Sequence, residues 1–356
     1  MCLGDGNDSE VGKESNFVVV TRDSEGLQCY QQDDQIKVDI LTPEGDDHLR
    51  TELKDSKDGR YIVTYIPQCV GQHSVEIQVN GQLLSSSPFV VNVQHQYRFG
   101  FKLESRGKRA GEFAFISDIA VSDKSGTVAV SVPQNKRIQL YSSDGKFQAE
   151  VKVDGLPRSV AFTDCGDLLI LVPWSNNKLR LFSEEGQFVK HIDDQHLKRP
   201  QRLCIASDGR LIITDAANNE VKVFSPDGND LLLSFTAPDC DKRPRCVVYR
   251  LEKFYVSYPR AHCVKVFDKT GVYLHDIGCE GSNDGQFHYP VGLVIDKCNQ
   301  LIVCDNQKVQ LFTLRGKFLS KLQGEYFIGS CPSYVAMNNN DNNLFVIDSD
   351  NLYVFH

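Results

Sequence analysis

The stretch RLCIASDGRLIITDAANNEVKVFSPDGNDLLLSF, residues 202–235, holds four short apolar runs, RLCIA, RLIITDA, EVKVF and LLLSF, separated by SDG, ANN and PDG. Each run is five to seven residues long and rich in branched or aromatic side chains, the composition that packs well on a pleated sheet. The separators are turn formers, because glycine accepts a positive φ and an Asp or Asn side chain bonds nearby backbone N–H groups. The stretch therefore predicts an antiparallel meander of four strands.

The pattern recurs along the second part of the chain. An aromatic closes the third run of each copy at Tyr141, Phe182, Phe224, Phe267, Phe312 and Phe355, at intervals of 41, 42, 43, 45 and 43 residues. Four strands per ~40–45 residues is the length of one propeller blade, so six aromatics predict six blades. The sixth copy stops at His356, directly after its third strand. A blade left in that state keeps an unpaired edge. The run YRFGFKLES at 97–105 is strand-like but has no three strands of its own before it, and the expectation is that it supplies the missing outer strand and closes the ring.

Residues 16–93 follow a different rule. Short alternating runs such as FVVVTRD, QIKVDIL, RYIVTYI and HSVEIQV are punctuated by Gly, Asp and Pro, the spacing of a β-sandwich. Tyr61, Val63 and Tyr65 alternate to one face of their strand, while Ser74, Glu76 and Gln78 take the polar face of the next. Asn80-Gly81 predicts a two-residue hairpin.

Composition bounds the rest. With 356 residues, 41% hydrophobic and 24% charged, and with 20 Phe and 13 Tyr, the chain is globular and favours strands. Residues 1–96 hold 7 Lys and Arg against 16 Asp and Glu, whereas 97–356 hold 32 against 31. An anionic partner would meet the second module. There is no signal-like start and no run near the ~18 apolar residues of a membrane span, so a cytoplasmic location with no membrane partner is expected. Twelve cysteines without a CxxC pair, several of them in apolar runs (Cys204, Cys246, Cys304), point to reduced, buried thiols.

Two resemblances add to this reading. Residues 58–93, from the Asp-Gly-aromatic strand through Pro67 and Gly71 to the Ser-Pro-Phe last strand, resemble the filamin-type immunoglobulin repeat, with 1–14 the least well matched part. GEFAFISDIAV (111–121), GQFHYPVGLVI (285–295) and RIQLYSSDGKF (137–147) resemble the NHL repeat. Together they imply an all-β chain: a filamin repeat over 1–95, then a six-bladed NHL propeller over 96–356. The order resembles the C-terminal half of tripartite-motif (TRIM-NHL) proteins, whose full-length members carry a RING, B-boxes and a coiled coil upstream. No cysteine–histidine zinc spacing stands in this sequence. A truncated form and a natural short form remain open, and the lack of a coiled coil implies a monomer.

Function narrows to recognition. Nucleophile elbows, phosphate-binding glycine loops and HExxH are absent from the sequence, so neither an enzyme nor a cofactor is expected. His196, His262 and His288 fall on one loop face, but their surroundings share no pattern that argues for a metal. Antiparallel blades sort the loops: second-to-third strand and blade-to-blade connections share one face. There, blades one to four carry 14 cations against eight carboxylates, while blades five and six carry six carboxylates against Lys308. Cations, amides and aromatics such as Trp174 and Tyr258 are the ingredients for single-stranded RNA. The resemblance implies the same face, with Arg158, Arg202 and Arg245 beside the inner strands and Arg137, Trp174, Asn218 and Arg260 in the following loops. The alternative is a protein-interaction or substrate-receptor module serving a RING ubiquitin ligase; DNA specificity is not implied. Asp215, Asp305 and Asp348, at the ends of second strands, are read as loop caps.

Overall fold

A computed structural model describes residues 2–3, 8–43, 48–94, 97–104, 106–176, 178–192, 195–238, 243–306, 308–322, 327, 331–338 and 340–356. The chain divides into two compact units, Met1–Gln96 and Tyr97–His356.

The second unit is built from six four-stranded antiparallel sheets. In the third, Pro200–Ile205, Leu211–Asp215, Glu220–Phe224 and Leu231–Phe235 follow one another outward, as the four runs of the opening stretch predict. The inner strands of successive sheets lie side by side, and the inner strand of the sixth, Tyr334–Asn338, neighbours that of the first, Asp118–Val121. The ring is complete. Second strands such as Leu168–Leu171 and Gln300–Asp305 are buried at every residue, because a neighbouring blade covers each of their faces. The periodic aromatics fill these gaps: Phe235 of the third blade lies 4.9 Å, ring to ring, from Phe267 of the fourth, and all six third-strand aromatics are buried.

The sixth sheet takes its outer strand from the other end of the unit. Phe99–Glu104 pairs antiparallel with Asn351–Phe355, in the register Phe101↔Val354 and Leu103↔Leu352. Arg98 and His356 exchange both backbone hydrogen bonds at 2.9 Å. Phe99 stacks edge-on against Phe355, and Tyr97 packs in the same core as Phe327, Tyr353 and Phe355. Blade four, whose sequence lacks an Asp-Gly turn, makes its first hairpin with Leu251 and Glu252 at positive φ, 46° and 57°. Tertiary packing has overridden local preference there.

The first unit is a sandwich. One sheet orders Cys2–Leu3, Ser15–Val20, Arg60–Tyr65 and Thr51–Asp55; the other orders Asp8–Glu10, Phe89–Gln94, Gly71–Val79 and Ile36–Leu41. Phe17, Val19, Tyr61, Val63 and Tyr65 face Ile40, Val75, Ile77, Val91 and Val93 across the core. Asn80 and Gly81, at φ 53° and 79°, turn the hairpin that joins Val79 to Gln82. His73 is fully buried; its Nε2 lies 2.9 Å from the Cys69 carbonyl, and its Nδ1 has no hydrogen-bond partner.

Two outcomes test this packing. Phe355→Ala removes a buried ring from the closing sheet and should cost about 3–5 kcal/mol in denaturant unfolding of the second unit, while Phe188→Ala, on the exposed face of an outer strand, should change stability by under about 1 kcal/mol. In the first unit, burial holds the His73 imidazole below its usual range. The unfolded chain then binds the extra proton first, so stability is present above the unfolded value of about 6.5 and is lost as pH falls below it. Thermal melts between neutral and mildly acidic pH should show this slope, and His73→Leu should flatten it.

Candidate functional site

Five prolines, Pro157, Pro200, Pro244, Pro290 and Pro332, stand at or just ahead of the inner strands of blades two to six. They set a common register. The second residue after each proline is Ser159, Arg202, Cys246, Gly292 or Tyr334, and Asp118 holds the equivalent place in blade one. All six are buried, and they meet around the axis. Arg202 forms an ion pair with Asp118, and its guanidinium lies 4.2 Å from the centre of the Tyr334 ring. Ser159 Oγ donates to Asp118 Oδ2 at 2.5 Å, and the Val160 N–H donates to the same oxygen at 3.0 Å. A Cβ on Gly292 would stand 2.6 Å from the Tyr334 Cα, so only glycine completes this layer. Burial pushes the Asp118 carboxyl up, against the pull of Arg202 and the donors around it.

This corrects the grouping of Arg158, Arg202 and Arg245 as one exposed set. Arg158 and Arg245 follow their prolines directly; in blade three that place belongs to Gln201, and Arg202 is one residue further on. One step along a strand reverses the side chain, which takes Arg202 into the plug beneath the mouth. Arg137 is committed as well. It is buried, pairs with Glu150 Oε2 at 2.7 Å and donates to the Arg109 and Glu112 carbonyls. Asn218 Nδ2 lies 3.4 Å from Asp215 Oδ2 and lines neither cavity described below.

Arg158, Arg245, Arg260 and Trp174 do face the mouth. A cavity of about 220 Å³ on the axis is lined by Arg158, Arg245, Phe115, Tyr289, Cys331 and Tyr334 among others, from blades one, two, four, five and six. Phe115 is 42% exposed and held at φ 104°, a region that bulky residues rarely adopt. Beside it, a second cavity of about 140 Å³ is lined by Arg199, Gln201, Ala216, Arg243, Pro244, Arg245, Pro259, Arg260 and Tyr289. Arg245 and Tyr289 belong to both. Trp174, 58% exposed, places its ring 6.0 Å from the Arg158 guanidinium. Arg158, Arg199, Arg243, Arg245 and Arg260 enter no ion pair among the described residues. Burial, with Arg245 and Arg199 nearby, pushes the Arg158 guanidinium down from its usual value.

The carboxylates ending the second strands hold the mouth residues from behind. Asp215 accepts the backbone N–H groups of Lys198 and Arg199, each at 2.8 Å, and Asp305 those of His288 and Tyr289. Asp348 caps its own loop through the Asp350 and Asn351 N–H groups. The three histidines do not converge: His262 Nδ1 meets the His288 carbonyl, His288 Nε2 lies 2.8 Å from Ser282 Oγ, and the His196 ring lies 6.4 Å from that of Phe224, tilted against it. Among the described residues no three His, Cys, Asp or Glu side chains form a metal-binding group. Of the loop residues that the sequence places on this face, Asn177, Asp193, Asp194, Asp239, Asp241, Lys242 and Glu325 lie outside the described residues. Arg199 and Arg243 were among the 14 cations that the sequence places on this face but not among its site residues, and Gln201, Phe115 and Tyr289 were not singled out; the residue before each proline was the readable signal for Arg199, Arg243 and Tyr289.

Residues 1–90 match the filamin/ABP280 repeat and residues 197–224 the NHL repeat. The mouse E3 ubiquitin-protein ligase TRIM71 is 31% identical over 142 residues, 38% of this chain and 16% of that protein. The Drosophila melanogaster protein brain tumor is 26% identical over 133 residues, 35% of this chain and 13% of that one. The chain carries a filamin repeat and an NHL repeat, and over its NHL region it is similar to TRIM-NHL proteins. The aligned part of this chain is about a sixth of the mouse relative's length, and it lies in the NHL repeats. A gluconolactonase from Xanthomonas campestris shares the propeller over 72% of this chain and 97% of its own, with a TM-score of 0.56 and 16% identity, a likeness of fold alone. The chain holds an NHL-repeat interaction module.

The buried pair makes a prediction about this architecture. Arg202→Met leaves the Asp118 carboxyl without its counter-charge and should destabilise the propeller by about 3–5 kcal/mol. Adding Asp118→Asn should recover much of that loss, and the mouth variant Arg260→Met should leave the unfolding midpoint unchanged.

Proposed function

We propose that the arginine-rich mouth of the propeller binds single-stranded RNA in post-transcriptional regulation, acting in the cytoplasm. The observation that carries this reading is the set of five guanidiniums outside any described ion pair, gathered beside exposed Trp174, Phe115 and Tyr289. Guanidiniums attract backbone phosphates, and aromatic faces accept unpaired bases. A duplex hides its base faces, so exposed rings favour an unpaired strand. The chain would act without catalysis, presenting the bound RNA to whatever the rest of its polypeptide or its partners supply.

The test is the salt dependence of binding. Arg158→Glu and Arg245→Glu should each weaken a bound oligoribonucleotide by about tenfold or more, and each should lower the slope of log affinity against log salt by about 1 for every phosphate no longer neutralised. Arg202 is unsuited to this experiment, since its removal would read as unfolding. Equal, weak binding by the parent chain and both variants would overturn the RNA reading and leave this face to a protein target, such as a substrate held for a RING ubiquitin ligase.

A further inference from the structure

The two cavities at the mouth differ in charge. The axial one places Arg158 and Arg245 among apolar and small side chains, whereas the one beside it gathers Arg199, Arg243, Arg245 and Arg260 with Gln201 and Tyr289, and no carboxylate lines it among the described residues. These groups are anchored. Asp215 fixes the Arg199 backbone, Asp305 fixes that of Tyr289, and Gln201 Oε1 accepts from Arg245 Nη1 at 2.9 Å. Arg260 sits in the 3-10 turn Pro259–Ala261. Arg245 Nε is buried without a hydrogen-bond partner.

Four like charges around one small cavity repel one another, and a buried donor without an acceptor adds to that cost. An anion with several oxygens removes both penalties. A backbone phosphodiester carries a single negative charge and two free oxygens, too few for this many donors. A phosphate monoester carries about −1.5 to −2 charges and three strong acceptor oxygens, and bidentate guanidinium contacts match them in geometry.

We propose that the cavity lined by Arg199, Arg243, Arg245 and Arg260 is a phosphate-monoester site, taking the terminal phosphate of an RNA or the phosphate of a free nucleoside monophosphate. Tyr289, 44% exposed at its rim, offers the ring on which the attached base stacks. The RNA source rests on the reading above; the phosphate chemistry does not. Arg199 and Arg243 are exposed, so replacing them leaves the fold intact, which an unchanged melting temperature verifies.

The experiment compares one oligoribonucleotide sequence with a 5′-phosphate, a 3′-phosphate or hydroxyls at both ends, alongside adenosine monophosphate and inorganic phosphate, each titrated into the full chain. One phosphorylated end should bind about tenfold tighter than the hydroxyl form. Arg199→Ala with Arg243→Ala should weaken every oligonucleotide but the phosphorylated form about tenfold more than the hydroxyl form, so that the preference is erased. If all three oligonucleotides bind tightly and equally, the monoester site is refuted and the RNA reading stands. If no oligonucleotide binds but adenosine monophosphate does, and the paired variant abolishes it, RNA falls and the site holds with a free nucleotide. Failure of every phosphate probe refutes both. A phosphoserine peptide that outcompetes adenosine monophosphate overturns the nucleotide assignment.

Discussion

Closure of the ring by the antiparallel pairing of Phe99–Glu104 with Asn351–Phe355 is the constraint on which the propeller depends. Each blade covers only part of its own apolar surface and needs a neighbour on both sides, so a ring left open would expose the faces that Phe101, Leu103, Leu352 and Val354 bury. Sharing one sheet between the two ends of the unit makes the sequence-distant termini a single cooperative element, and no edge of the sixth blade's third strand is left for another chain to extend.

Closure also sets the chemistry at the axis. Six inner strands held in a circle bring one residue from each into a buried layer, and the layer is filled by Asp118, Ser159, Arg202, Cys246, Gly292 and Tyr334. An ion pair there would be expensive if either partner stood alone. It is supported by hydrogen bonds from blade two and by the Tyr334 ring from blade six, so the charges join blades that are far apart in sequence. Above this layer the guanidiniums have no such partners among the described residues, and the same residue type therefore serves two ends: a satisfied plug below and an unsatisfied rim above.

Much of the fold was legible because it rests on short-range rules. Turn formers between branched runs mark the strands, the aromatics recur at the blade period because each must fill the gap between two sheets, and the incomplete sixth copy announces that a strand is borrowed. The loop-capping carboxylates were legible for the same reason, since Asp215 and Asp305 act on backbone close by in their own blades. The candidate site was less so. Arg158, Arg245, Arg260 and Trp174 reach the mouth, but Arg137 and Arg202 are consumed by Glu150 and Asp118, partners that spacing along the chain does not reveal.

What the sequence alone determined is the all-β plan, the sandwich followed by six blades, and the concentration of basic loops on one propeller face. All of these follow from periodicity, which is local. Only the tertiary structure decided which arginines meet solvent and which meet one another. A one-residue offset after the proline turns Arg202 inward where Arg158 and Arg245 point out, and Arg199 and Arg243, 44 residues apart in sequence, share one cavity with Tyr289 because the ring brings successive blades around a common axis.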